Sequence, residues 1–282
     1  MNPDDAGRTP EAMACRACGA LIYAKLPSPR QCPFCKKKKG FRIIRLELPL
    51  PEGMIPFEIS REDAAKRFSA YLKEQPEVSD GLMKLAEPEN FQPVYIPFWR
   101  FTFRAEAKYS AAEGEIAGTI SEPDAEAWAP GTWRYADLCL ETTGGFDRKK
   151  IVPCTPGGTD EIWEACVLNS RTAWGTAKWS MSEELKKRAL LFIGGEGEIN
   201  LEAEYSGEKA VCVLFPFWLA ALDFGDRVWH YAVNGCTGEA RGRIFRPFSA
   251  GSEAISIFMK LFLALVVFML ILSAIMILEA LA

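Results

Sequence analysis

The chain has 282 residues, 49% of them apolar, and a formal charge of -4, with a pI near 5.4. That balance excludes a generally basic nucleic-acid coat and leaves room only for a local basic patch. The single histidine, His230, excludes HExxH metalloproteases and most catalytic arrangements that need two imidazoles.

Residues 1–14, MNPDDAGRTPEAMA, show no apolar periodicity and read as a flexible lead-in. Cys15-Arg-Ala-Cys18-Gly19 follows and, after thirteen residues, Cys32-Pro-Phe-Cys35. Two CxxC pairs place four thiolates on two tight turns, the donor set of a structural Zn²⁺ site. Gly19 suits the turn of a zinc knuckle, and the short LIYAKLPSPRQ between the pairs cannot build a core of its own. The expected cofactor is therefore structural Zn²⁺ held by Cys15, Cys18, Cys32 and Cys35. Of the nine cysteines, the remaining Cys139, Cys154, Cys166, Cys212 and Cys236 read as small buried hydrophobes in a reducing compartment.

Lys36, Lys37, Lys38 and Lys39 come next, with Arg42 and Arg45 on the apolar stretch behind them. Such a cluster can contact nucleic-acid phosphates or anionic lipid headgroups. The plainer reading is a solvated edge that keeps the ribbon soluble, and the absence of interleaved aromatics favours it. Pro49 to Pro56 reads as a linker. Ser60-Arg-Glu-Asp63 resembles a capping box, and Ala64, Phe68, Tyr71 and Leu72 line one face of a helix to about Glu74.

From Trp99 to Tyr109 the alternation has period two, with Phe101, Phe103, Ala105 and Ala107 on one side and Arg100, Thr102, Arg104, Glu106 and Lys108 on the other. That is a half-buried strand. Shorter strands are expected at 113–121, 132–142 and 159–170, then a helix capped by Ser180 and ended by Gly194-Gly195. The last third predicts strands at 198–205, 210–222, 227–233 and 239–245, with a turn at Asn234-Gly235-Cys236-Thr237-Gly238.

Pro-Phe-Trp occurs twice, at Pro97-Phe98-Trp99 and Pro216-Phe217-Trp218. The favoured reading is that the prolines mark strand edges or bulges, with the aromatics filling a core. The alternatives are that Phe98, Trp99, Phe217 and Trp218 line a groove for a partner segment, or that the motifs mark two related sub-units of one sheet.

Residues 261–278, LFLALVVFMLILSAIMIL, carry no charge and read as a membrane span. Arg241, Arg243, Arg246 and Lys260 lie before it and no Lys or Arg after it. The sequence thus predicts a tail-anchored, single-pass protein of the cytoplasmic membrane, contacting lipid through this helix, with residues 1 to about 250 in the cytoplasm and the C-terminus outside.

The order of zinc ribbon, Pro56-Phe57-Glu58-Ile59-Ser60 with its helix, Val94-Tyr95-Ile96-Pro97-Phe98-Trp99, the second Pro-Phe-Trp, the Asn-Gly-x-Thr-Gly turn and the span resembles a known family. It is similar to bacterial membrane proteins with an amino-terminal zinc ribbon, labelled transcription-factor-B-type zinc finger or replication-restart helicase-like. The resemblance runs from Cys15 through Leu278. It implies zinc at Cys15, Cys18, Cys32 and Cys35, no catalytic residues, and for some members association with phage-shock-type (PspA-like) and SPFH-type membrane-stress proteins. The family's usual NGQTG turn has Cys236 here in place of Gln.

A helicase needs a Gly-x4-Gly-Lys-Ser/Thr phosphate loop, and no such string occurs. Gly194-Gly195-Glu196-Gly197-Glu198 would repel phosphate and reads as a loop. His230 lies within an alternating strand and reads as a structural histidine. The expected fold class is α+β. A zinc ribbon at 15–48 follows the flexible 1–14, then a mixed, mainly antiparallel β domain with two or more short helices at 49–250, and one C-terminal transmembrane helix at 252–281. The expected function is a non-enzymatic, membrane-anchored adaptor that binds protein partners. The alternatives are a membrane-tethered nucleic-acid binder using Lys36 to Lys39, and an enzyme whose site assembles in the sheet.

Overall fold

The computed structural model describes residues 11–23, 29–45, 48–75, 78, 80–111, 117–134, 146–154, 161–195, 197–224 and 227–242. Two long strands form its axis, β5 (Gln92–Ala111) and β9 (Ile199–Phe224). The shorter strands are β1 (Ala12–Cys15), β2 (Leu21–Tyr23), β3 (Phe41–Ile44), β4 (Gly53–Met54), β6 (Ala117–Pro130), β7 (Val152–Pro153), β8 (Ile162–Glu164), β10 (Arg227–Asn234) and β11 (Ala240–Gly242). All belong to one 11-stranded mixed sheet with the path β11-β10-β9-β5-β8-β2-β1-β3, β6 pairing with β5 and β4 with both β7 and β9. The helices among the described residues are α1 (Arg61–Lys73), α2 (Asp80–Lys84) and α3 (Ser170–Phe192).

The two Pro-Phe-Trp motifs are pseudo-symmetric partners. Aligning them carries Val94 onto Val213 and Ile96 onto Phe215. In the antiparallel pairing of β5 with β9, Ile96 faces Phe215, Val94 faces Phe217 and Phe98 faces Val213. The pairing therefore maps onto itself by a local two-fold axis at the Ile96/Phe215 pair. The neighbours follow the same rule: β6 returns along β5 with Phe98 opposite Pro130, and β10 returns along β9 with Phe217 opposite Asn234. On the other flank β8 runs parallel to β5 at Val94 and Tyr95, and β4 runs parallel to β9 at Val213 and Leu214.

Hydrogen bonds at the seams repeat as well. Gly131 N–H donates to the Pro97 carbonyl at 2.8 Å and Gly235 N–H to the Pro216 carbonyl at 2.9 Å. Val167 and Leu168 donate to the Gly131 carbonyl, as Glu58 and Ile59 do to that of Gly235. In a strand the N and C=O of one residue point the same way, so each proline nitrogen faces the seam where one neighbouring strand ends and the next begins. A missing N–H costs no ladder bond there. Both glycines are required by space: a Cβ on Gly131 would lie 2.8 Å from Cys166 Sγ, and one on Gly235 would lie 2.7 Å from the Phe57 ring.

The alternation of each motif then divides the core. Phe98 and Phe217 point to one face, where they pack with Phe34, Phe146 and Phe215. Trp99 and Trp218 point to the other, covered by α3 and α1 respectively. Trp99 Nε1 donates to the Leu168 carbonyl at 2.8 Å and Trp218 Nε1 to the Ile59 carbonyl at 3.3 Å. Those carbonyls directly precede the N-caps Asn169 and Ser60, whose side chains accept from Thr172 N and Asp63 N. Each helix precedes one long strand in sequence yet is pinned to the tryptophan of the other, so the two halves are interlocked.

Several expectations are corrected. No helix among the described residues is long and apolar enough to cross a membrane. The longest, α3, has 23 residues but carries Arg171, Lys178, Glu183, Glu184, Lys186, Lys187 and Arg188. The run 261–278 lies outside the described residues. The fold class is thus a mixed β-sheet with three described helices, and neither the C-terminal transmembrane helix nor the single-pass placement in the cytoplasmic membrane is retained. The second helix begins at Ser170, not Ser180, because Asn169 caps it and Ala173, Ala177, Leu185 and Ala189 form its buried face. The strands expected at 198–205 and 210–222 are one strand, β9, bulged between the Thr102/Lys209 and Arg104/Ser206 pairs, with Gly207 at φ 67°. The stretch 49–56 contributes β4 to the sheet. Of the strand expected at 132–142, residues 132–134 are not strand and the rest lies outside the described residues.

Trp99→Phe and Trp218→Phe each remove one seam hydrogen bond and leave a part-buried carbonyl short of its donor, at about 1–2 kcal/mol apiece. They lie six residues apart along the ladder, so the double variant is expected to sum the two losses to within about 0.5 kcal/mol in urea unfolding.

Candidate metal centre

β1 pairs with β2 through Met13–Ile22 and with β3 through Cys15–Phe41, so the first knuckle hangs on a three-stranded ribbon. The first turn closes by Gly19 N–H donating to the Cys15 carbonyl at 2.9 Å, the second by Lys36 N–H donating to the Cys32 carbonyl at 3.0 Å. The residue after each second cysteine is left-handed: Gly19 at φ 71° and Lys36 at φ 56°. The four Sγ atoms of Cys15, Cys18, Cys32 and Cys35 lie within 4.8 Å of one another and can hold a metal ion. Cys15 and Cys35 are 3.8 Å apart, as are Cys18 and Cys32. No other such group of three or more ligating side chains occurs among the described residues.

The ribbon is built into the sheet. β2 pairs with β8 through Ile22–Glu164 and Tyr23–Trp163, and Cys15, Cys32 and Phe34 share one core with Phe98, Phe215 and Phe217. Arg134 Nη2 donates to the Cys18 carbonyl at 3.3 Å, and His230 Nε2 lies 2.6 Å from the Phe34 carbonyl. A carbonyl only accepts, so Nε2 carries the proton. Burial holds the His230 pKa below its ordinary value, keeping the ring neutral near pH 7. Its partner is the second knuckle.

Beneath the first knuckle lies Glu164, 4% exposed. Thr132 Oγ1 donates to its Oε1 at 2.9 Å, and Arg134 Nε sits 3.7 Å from the same oxygen. Oε2 is buried without a hydrogen-bond partner. Burial pushes this carboxyl up to about 7, with Thr132 and Arg134 pulling the other way. Among the thiols, burial pushes Cys18 up to about 11. For Cys15 burial acts in the same direction but is outweighed by the amides of Cys18 and Ala17, and its pKa falls to about 7.

The other predicted site residues divide. Lys37, Lys38, Lys39, Arg42 and Arg45 are exposed on the ribbon, whereas Lys36 is half-buried in its turn, with a pKa lowered by burial. Arg45 pairs with Glu11 at 3.2 Å. Phe98, Trp99, Phe217 and Trp218 are 0–8% exposed, so they fill the core and line no open groove. Cys166 and Cys212 are buried as expected, Cys154 and Cys236 only partly so, and Cys139 lies outside the described residues. Asn234 forms the expected turn, its Oδ1 accepting from Cys236 N and Thr237 N. Sequence reasoning missed Thr132, Arg134 and Glu164; their contacts join loops and strands far apart in the chain, and no local spacing marks them.

No family model matches the chain, and no solved structure matches it. It is similar to YdjG of Bacillus subtilis (strain 168), described as an uncharacterized protein. The two are 24% identical over 228 residues, covering 72% of this chain and 66% of YdjG. The chain thus spans just under two thirds of that relative.

Glu164 supplies a pH test. Its folded pKa near 7 lies above the ordinary carboxyl value of 4.5, so the folded state favours the proton. The stability it contributes is complete below about pH 4.5 and lost as pH rises through about 7. Glu164→Gln mimics the protonated form, so the variant is expected to gain on the wild type between pH 5 and pH 8 in parallel urea titrations; a constant difference would refute the assignment.

Proposed function

We propose that the chain is a zinc-ribbon adaptor, in which one structural Zn²⁺ holds the ribbon against the sheet and the exposed ribbon surface engages a protein partner. The observation that carries this reading is the spacing of the four sulfurs. A tetrahedron with metal–sulfur bonds of about 2.3 Å has edges of about 3.8 Å, and the Cys15–Cys35 and Cys18–Cys32 separations are both 3.8 Å. The donor set is soft and complete, which favours Zn²⁺ and leaves no open position for a substrate.

The chemistry of a bound ion here is coordination alone: it replaces the core the short ribbon cannot build, worth roughly 10 kcal/mol or more of folding free energy. Lys37, Lys38, Lys39 and Arg42 stand exposed beside it and suit an acidic protein surface. The PspA-like and SPFH-type proteins that the resemblance implies are the first partners to assay. The same cations support a second reading as a nucleic-acid contact, and the two separate by experiment. The full chain and a variant with all four cations changed to Glu are used to capture partners with and without nuclease. The adaptor reading expects a discrete protein, insensitive to nuclease and lost with the variant; retention that nuclease abolishes transfers the assignment to nucleic acid.

The metal reading makes its own prediction. Purified chain is expected to carry one zinc ion and Cys18→Ser close to none, measured by elemental analysis after gel filtration; full occupancy in Cys18→Ser would refute the four-thiolate site.

A further inference from the structure

Among the described residues, polar ties join each knuckle to the body of the protein, one from each half of the repeat. Arg134, three residues beyond Gly131 at the end of the first hairpin, donates to the Cys18 carbonyl of the first knuckle at 3.3 Å. His230, in β10 of the second hairpin, binds the Phe34 carbonyl of the second knuckle at 2.6 Å. Resting on the zinc reading above, we propose that Arg134 and His230 are positioning residues for the metal: they hold the two thiolate pairs at the spacing the ion needs, and the bound ion in turn cross-links the two halves of the sheet.

The donors are themselves fixed. β10 is paired along its length with β9, His230 facing Ala221, so the imidazole leaves a rigid strand at a set height. Arg134 is oriented by Glu164, itself held by Thr132 and carried on β8 between β5 and β2. One arm of the guanidinium faces the carboxylate and another reaches Cys18. A carbonyl held in this way fixes the peptide plane next to a ligating cysteine, and with it the direction of Cα–Cβ and of the thiolate. Without the ties, the ion alone would have to order both turns and the segment between them, and the entropy of doing so would weaken its retention. Groups that orient metal ligands from outside typically change affinity by about 10–100-fold when removed.

The pseudo-symmetry makes the cross-link specific. The two hairpins meet along β5 and β9, on whose face the aromatic core of Phe98, Phe215 and Phe217 touches Phe34, Cys15 and Cys32. An ion that joins Cys15 and Cys18 to Cys32 and Cys35 closes a loop that runs from Arg134 through both knuckles to His230.

The test uses the zinc-loaded full chain and measures zinc transfer to a chromogenic chelator. His230→Leu and Arg134→Met are each expected to release zinc about 10–100-fold faster than wild type, while His230→Gln, whose amide can still donate to Phe34, recovers most of the retention. Melting at saturating zinc identifies any variant that is merely unfolded; should Arg134→Met be one, the His230 pair decides alone. Wild-type release by His230→Leu, or equal release by His230→Leu and His230→Gln, overturns the positioning role. A wild-type chain without stoichiometric zinc instead overturns the metal reading on which it rests. For the cross-link, zinc removal from wild type is expected to raise amide exchange at 131–134 and 228–233; a rise confined to 12–44 overturns it.

Discussion

Every strand reaches the sheet through β5 or β9, directly or by way of β8, β4 or β10, and these two are held in one register by a ladder running from Gln92/Leu219 to Ala111/Ile199, with the local two-fold at Ile96/Phe215. A slip of β5 by one residue against β9 would turn Phe98 and Trp99 to the wrong faces. Phe98 would then meet α3, and the Trp99 indole N–H would lose the Leu168 carbonyl. Large aromatics buried at about 1.5–3 kcal/mol each make that slip costly. The register is what places the helix starts, the glycine seams and the ribbon.

From that register follows the position of the four-cysteine cluster. The face that carries Phe98, Phe215 and Phe217 is apolar and broad, and the ribbon covers part of it with Phe34 and the backs of Cys15 and Cys32. A ribbon of this size lacks a core, so it borrows this one. The borrowed contact brings the knuckle carbonyls to Arg134 and His230, and brings the buried Glu164 beneath them. Four cysteine sulfurs, a guanidinium, an imidazole and a buried carboxyl group thus converge where the two halves of the repeat and the ribbon meet.

Much of this was written locally in the chain. The CxxC spacing named all four thiols, Ser60-x-x-Asp63 named the start of α1, and the alternation from Trp99 to Tyr109 named the half-buried part of β5. The repeated Pro-Phe-Trp was visible, and the sub-unit reading anticipated the two halves. What stayed hidden was the exchange between them, because each helix is pinned to a tryptophan outside its own half. The start of α3 was obscured by its alanine stripe, which gives little apolar signal, while Ser180-x-x-Glu183 imitates a cap in mid-helix. The gap between the strands expected at 198–205 and 210–222 is a bulge at Gly207. The Thr132–Glu164–Arg134 group has no short-range pattern at all, since its partners meet only after the sheet is assembled.

The account stands or falls on a four-sulfur centre in the intact protein. X-ray absorption at the zinc edge of the purified full chain measures it directly. Four sulfur neighbours at about 2.3 Å and no nitrogen or oxygen in the first sphere are predicted. A centre with fewer than four sulfurs, or one completed by water, would contradict it.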